Sequence, residues 1–272
     1  MTTLLQISDA HFGTERPLVV RALLQMAKDE SPDLVVLSGD ITQRARGSQF
    51  RAAREFADQL RPAALLAIPG NHDIPLFNIA ARVFSPYGNY SQAFGENLEP
   101  EFETRDLLVI GLNTTRPRLH KNGELSPQQI DRVARRLQRA GASQLRIVVV
   151  HQPVLAIRDR DEDNLLERHR VAVPVWAAAG GDIIMGGHIH LPYVRSLSTT
   201  FPDLPRDIWT VQAGTSVSSR LREGTTNSVN LIRSDGQCEL RQCTVERWDY
   251  LDTKGRFELH SCSMLRFADL RD

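Results

Sequence analysis

At five places in this 272-residue chain, a short apolar run ends directly in residues whose side chains can hold a metal. Leu4–Ser8 leads into Asp9-Ala10-His11, Leu34–Ser38 into Gly39-Asp40, and Leu65–Pro69 into Gly70-Asn71-His72-Asp73. Ile147–Val150 leads into His151, and Ile183–Gly186 into Gly187-His188-Ile189-His190. A buried strand that stops at a polar residue presents it beyond one end of a sheet, where α/β sheets bind their ligands. Five such ends meeting would gather three carboxylates, one carboxamide and five imidazoles, enough donors for two metal ions. Oxygen and nitrogen donors suit Mn, Fe and Zn, and the lack of cysteine among them argues against a structural zinc knot. Two ions about 3.5–4 Å apart need a bridging group, which a carboxylate supplies through its two oxygens. Any one motif is a common polar turn or cap; five in order, each after an apolar run, are not accidental.

The elements that must carry these residues follow from spacing. Asp9 and Asp40 are 31 residues apart, as are Asp40 and Asn71, and a βαβ unit takes about 30 residues. Residues 16–30 supply the first crossover helix, with Leu18, Ala22 and Met26 as its apolar stripe. Residues 48–60 supply the second, through Phe50, Ala53, Phe56, Ala57 and Leu60. Continuous apolar strands of this kind are covered on both faces. Further on, 74–84 reads as helix and 85–99 as loop, while 101–105 and 107–112 read as an antiparallel pair. Ser126-Pro127-Gln128-Gln129 carries a helix start, with Ser as N-cap and Gln three residues later, and that helix should stop at Gly141. Beyond His190, strand-like runs at 194–197, 208–213, 227–233, 238–247 and 257–262 make a β-rich remainder. The expectation is a single domain over 1–272, with about 237–272 as a C-terminal β-hairpin appendage.

Composition narrows the function class. Lys+Arg and Asp+Glu number 33 each, which gives no support to a bulk nucleic-acid or membrane-surface binder. No apolar run reaches the roughly 20 residues of a membrane span. Strand and ligand residues begin almost at once, so no signal peptide is expected. Cys238, Cys243 and Cys262 form no CxxC pair and are odd in number, so reduced structural thiols in a cytoplasmic protein are expected.

The series Asp9-x-His11, Gly39-Asp40, Gly70-Asn71-His72-Asp73, His151 and Gly187-His188-x-His190 resembles the calcineurin-like metallophosphoesterases over residues 4–190. That resemblance implies an α/β fold, a four-layer αββα sandwich of two mixed sheets flanked by helices, with a dimetal centre at one edge. It places Asp9, His11, Asp40 and His190 on a first metal and Asn71, His151 and His188 on a second, with Asp40 bridging. It further implies hydroxide between the metals as the in-line nucleophile. His72 would assist departure of the leaving oxygen, and Asp73 would orient the His72 imidazole.

Within that superfamily, Gly39-Asp40-Ile41-Thr42-Gln43-Arg44 lacks the Asp-Arg-Gly of the Ser/Thr protein phosphatases, and the third motif ends in Asp73 rather than Glu. The chain looks more like bacterial class III cyclic-nucleotide phosphodiesterases, which implies a small phosphodiester substrate such as a 3′,5′-cyclic nucleotide. The alternatives are hydrolysis of another diester, monoester or lipid-precursor pyrophosphate, nuclease action, or a non-catalytic scaffold on the same fold; the filled ligand set disfavours the scaffold. His120 and His169 read as exposed in basic loops and His260 as structural. Asn113 follows a strand toward the site, Gly214-Thr215-Ser216 reads as a turn, and the β-rich C terminus is expected to offer a homodimer contact.

Overall fold

The structure, a computed structural model, describes residues 2–234 and 241–267. In chain order the elements are β1 (Thr2–Ile7), α1 (Pro17–Glu30), β2 (Leu34–Ser38), α2 (Gly47–Leu60), β3 (Ala64–Ile68), α3 (Ile79–Phe84) and α4 (Gly88–Phe94). They continue with β4 (Glu101–Glu103), β5 (Leu107–Gly111), α5 (Pro127–Gln138), β6 (Leu145–Val149), α6 (His169–Ala178) and β7 (Ile183–Gly186). The last are β8 (Tyr193–Ser196), β9 (Trp209–Gln212), β10 (Ser228–Ser234), β11 (Gln242–Leu251) and β12 (Arg256–Arg266).

Two six-stranded sheets form, ordered β12-β11-β10-β1-β2-β3 and β4-β5-β6-β7-β9-β8. Strand residues alternate between two apolar layers, as the period of two requires. Leu5, Ile7, Val35 and Leu37 face α1 and α2, while Leu4, Leu34, Val36 and Leu66 face the second sheet. In that sheet Leu108, Ile110, Val148 and Ile184 turn to α5 and α6, and Leu107, Val109, Ile147 and Met185 turn inward. The result is helix, sheet, sheet, helix. Strands apolar on both faces define their register weakly, and a polar group between the sheets supplies the missing constraint. Fully buried Gln6 donates to Ser38 Oγ at 3.1 Å and to the Gly186 carbonyl at 3.0 Å, and accepts from Asn230 at 2.9 Å. A one-residue slip would strand these groups, at about 1–3 kcal/mol each.

Most elements lie where the sequence puts them. Ser126 caps α5, accepting from the Gln129 amide at 3.1 Å. Four details differ. The buried face of α1 is Val19, Leu23, Met26 and Ala27, while Leu18 is exposed. The segment expected as loop, 85–99, contains α4, because Tyr90 drops its ring into the core and donates to the Ala67 carbonyl at 2.8 Å. Helix in 74–84 starts only at Ile79, where Asn78 accepts from the Ala81 amide. The C-terminal hairpin is no appendage: β11 pairs with β10 over seven residues and β12 forms the sheet edge. Cys238 and the start of the strand expected at 238–247 lie outside the described residues.

Candidate metal centre

The parallel neighbours β1, β2 and β3 end side by side, and β6 and β7 end opposite them in the facing sheet. Beyond the strands the loops stay zipped. The Asp9 amide donates to the Gly39 carbonyl at 3.1 Å, His11 to Asp40 at 3.0 Å, and Gly187 to His151 at 2.8 Å. Such tight reversals force unusual backbone. Asp9, His11, Asp40, His188 and His190 all have positive φ, from 44° to 71°. This left-handed region costs non-glycine residues about 1–2 kcal/mol each, so packing holds these five against a local preference. Gly39 is in the same region at φ 95°, and a Cβ there would press into the His151 ring. A Cβ on Gly70 would collide with the Asp40 amide and carboxylate.

Six of the seven expected ligands fall into two clusters. Asp9, His11 and His190 form one cluster, and Asp40, His151 and His188 form a second. His190 Nε2 lies 3.3 Å from Asp9 Oδ1, and His151 Nε2 lies 3.3 Å from Asp40 Oδ1. Asp40 reaches both groups, since its other oxygen is 3.7 Å from His11 Nε2. Backbone carbonyls aim the rings: His151 Nδ1 sits 2.9 Å from Ser38 O and His190 Nδ1 2.7 Å from Arg220 O. Each leaves Nε2 facing the crevice, the arrangement by which a backbone partner fixes a ligating imidazole.

Whether these residues fit metals can be tested on their unused atoms. Buried polar atoms are nearly always hydrogen-bonded, yet Asn71 Oδ1, His151 Nε2 and His188 Nε2 meet no such partner. These three atoms are the donors expected for the second metal. In the first cluster, the His11 and His190 Nε2 atoms face each other at 3.0 Å. Imidazole nitrogens turned on one another and on carboxylates suit a cation. The residues fit two ions.

Electrostatics of the protein groups alone agrees. Burial disfavours ionised Asp9, but the His190 charge and hydrogen bond outweigh it and bring the carboxyl to about 2. Asp40 is likewise held below the carboxylate range, with burial overcome by His151, His72 and His11. Burial pulls His11 and His188 down to about 3, keeping them neutral as ligands must be. His151 is raised to about 9, because Asp40 outweighs burial, and His190 is raised in the same way by Asp9.

His72 is half-buried at the mouth. Its amide donates to Asp40 Oδ1 at 2.8 Å, and its Nδ1 lies 2.9 Å from the Gln43 carbonyl. Gln43, not Asp73, therefore orients the imidazole, which corrects the role expected for Asp73. The Asp73 carboxylate turns the other way. It accepts from the amides of Ile41, Thr42 and Gly70 and from the Thr42 hydroxyl, at 2.8–3.0 Å. Burial and the nearby Asp40 charge raise it to about 6 against those bonds. Asp73 ties the loops after β2 and β3 together.

Other residues fall away from the chemistry. Asn113 Oδ1 accepts from the Thr115 amide and hydroxyl. Thr215 and Ser216 brace the first ligand loop, through Thr215 Oγ1 to Asp9 O and the Ser216 amide to Ser8 O. His169 is not solvated but half-buried at the start of α6, with Nδ1 2.7 Å from Leu166 O. His260 is exposed on β12, 3.4 Å from Asp249. His120 is exposed yet shares a small cleft with Asn71 and His72. Arg220 was not foreseen: its guanidinium lies 3.2 Å from His72 Nε2 and 3.4 Å from His11 Nδ1.

The comparisons with known proteins point the same way. A probable cyclic nucleotide phosphodiesterase of Synechococcus is 27% identical over 213 residues, 74% of this chain and 78% of that protein. A dimetal phosphatase from Danio rerio superposes with a TM-score of 0.64 at 13% identity, covering 98% of this chain and 99% of the other. A purple acid phosphatase from yellow lupin gives 0.67 at 13% identity, over 97% of this chain and 53% of its own. At such identities these two structures speak for the fold. The model of the calcineurin-like phosphoesterases matches residues 2–192, the span that carries every candidate ligand, and the chain belongs to that family.

Proposed function

We propose that this chain hydrolyses phosphodiesters at a dimetal centre, with 3′,5′-cyclic nucleotides as its substrate class. The carrying observation is His72, whose Nδ1 is taken by the Gln43 carbonyl, so that Nε2 faces the crevice. A group placed there can give a proton to a departing ester oxygen. Asp9, His11, Asp40 and His190 would hold one ion and Asp40, Asn71, His151 and His188 the other, as Mn, Fe or Zn. When bound, the pair supplies Lewis acidity and water acidic enough to attack at neutral pH. The rest is the work of the chain: Asp40 spans both clusters, Ser38 and Arg220 carbonyls fix two imidazoles, and Asp73 holds the loops in register.

The cyclic-nucleotide part rests on the Synechococcus relative and on the compact ligand series. Its test is kcat/KM of the Mn-reconstituted protein on 3′,5′-cyclic AMP. A value above about 10⁴ M⁻¹s⁻¹, usual for an enzyme on its own substrate, supports it. A far smaller value beside efficient hydrolysis of an open-chain diester would remove cyclic nucleotides and keep the phosphodiesterase. The reading includes a cytoplasmic setting, in keeping with Cys243 and Cys262 as free thiols.

A further inference from the structure

Arg220 lies outside the ligand series and outside the residues matched by the family model. Its backbone is fixed on all sides. The Arg220 carbonyl meets His190 Nδ1 at 2.7 Å, its amide donates to Ser218 Oγ at 2.9 Å, and Ser219 donates to the Thr14 carbonyl at 2.9 Å. Two residues on, Arg222 donates from Nη2 to both carboxylate oxygens of Asp161 at 2.8 and 2.9 Å and from Nη1 to the Ile189 carbonyl. Arg222 is thus a strut that holds this loop against the His188–His190 segment.

Arg220 is different. Its side chain is exposed and reaches from the His190 side across the first cluster to His72. Its hydrogen-bond partners are the Gln43 side-chain carbonyl at 3.0 Å and the two imidazoles. Among the described residues no carboxylate lies within ion-pair distance of it, whereas Arg222 has Asp161. A permanent cation on fixed backbone, at the rim of a cavity of about 490 Å³ shared with His188 and His190, lacks only an anion. Arginine presents a planar fork that matches two oxygens of a phosphate.

We propose that Arg220 is a phosphate-binding residue, which leaves the Gln43 and imidazole contacts to hold a non-bridging oxygen of the bound phosphoryl group. This deepens the phosphoesterase reading and rests on it. Arg220 serves the phosphate itself rather than the leaving oxygen, so its contribution is the same for good and poor leaving groups.

The test compares the Mn-reconstituted wild type with Arg220→Gln and Arg220→Lys, using inorganic phosphate as inhibitor and one aryl and one alkyl diester as substrates. Loss of a charged hydrogen bond of this kind is worth about 10- to 100-fold. Arg220→Gln should weaken phosphate inhibition and lower kcat/KM by that factor, equally on both diesters, with two metals retained by elemental analysis. Arg220→Lys should recover part of the loss, restoring the charge without the fork. Unchanged phosphate inhibition in Arg220→Gln would overturn the proposal. So would a loss confined to the alkyl diester, which would place Arg220 on the leaving oxygen, or loss of metal, which would make it a scaffold for His190. A wild type that holds two metals but neither binds phosphate nor cleaves diesters would overturn the function and this inference together.

Discussion

The Nε2 atoms of His11 and His190 lie 3.0 Å apart, although the residues follow different strands of two facing sheets. Two imidazole nitrogens turned on each other and on Asp9 and Asp40 make a donor cluster that a cation stabilises. A ligand bound only by the folded state adds about 2.7 kcal/mol at a hundredfold excess over its Kd. Chelation with EDTA should therefore lower Tm by about 5–10 °C, given 2–4 °C per kcal/mol for a chain near this size. Calorimetry with and without added Mn checks this. An unchanged Tm would speak against a metal site here.

Asp40 is the residue both clusters share, through Oδ2 toward His11 and Oδ1 toward His151. Replacing it with Ala should leave at most one tightly held ion per chain and abolish most diester hydrolysis, as the bridging role requires. Elemental analysis after gel filtration decides the first point. Two retained ions would contradict bridging.

His72→Ala should slow alkyl diesters by about 10²–10⁴-fold, the usual worth of a general acid, and aryl diesters far less. Equal losses would remove His72 from the acid role. Asp73→Asn should lower Tm while leaving the alkyl-to-aryl ratio as in wild type, because Asp73 bonds the loop amides and not the imidazole.

Metal uptake should release protons at neutral pH. From the protein groups alone, His151 is raised to about 9 and carries its proton below that value, and His190 is raised in the same direction. Asp9 and Asp40 are already ionised and His11 and His188 already neutral. Binding must displace the His151 proton, so affinity rises with pH up to about 9. Titration calorimetry at pH 7 in buffers of different ionisation enthalpy counts the protons released. No release would show that His151 does not ligate.

The ligands were legible because each sits one to four residues past an apolar run, so a one-dimensional pattern fixes where it emerges. The sandwich was legible through the resemblance of that series, and the period-two split of each strand into two apolar layers bears it out. What Asp73 does was not legible. Adjacent residues in the tight turn at 71–73 point in different directions, which sequence adjacency to His72 conceals. Arg220 stands 30 residues after His190 and follows no ligand motif, and only the long return of the chain past β9 brings it to His72. The α6 helix is unannounced because Pro174 stands inside it, where the helix is kept by burial of Ala172, Val173, Trp176 and Ala177. Long-range packing decided each of these.

The most direct measurement is a metal titration of the stripped protein with Mn, following hydrolysis of bis(4-nitrophenyl) phosphate. The dimetal account predicts little activity at one equivalent and saturation at two, with the corresponding monoester turned over less efficiently. Full activity at one equivalent, or activity independent of metal, would contradict it.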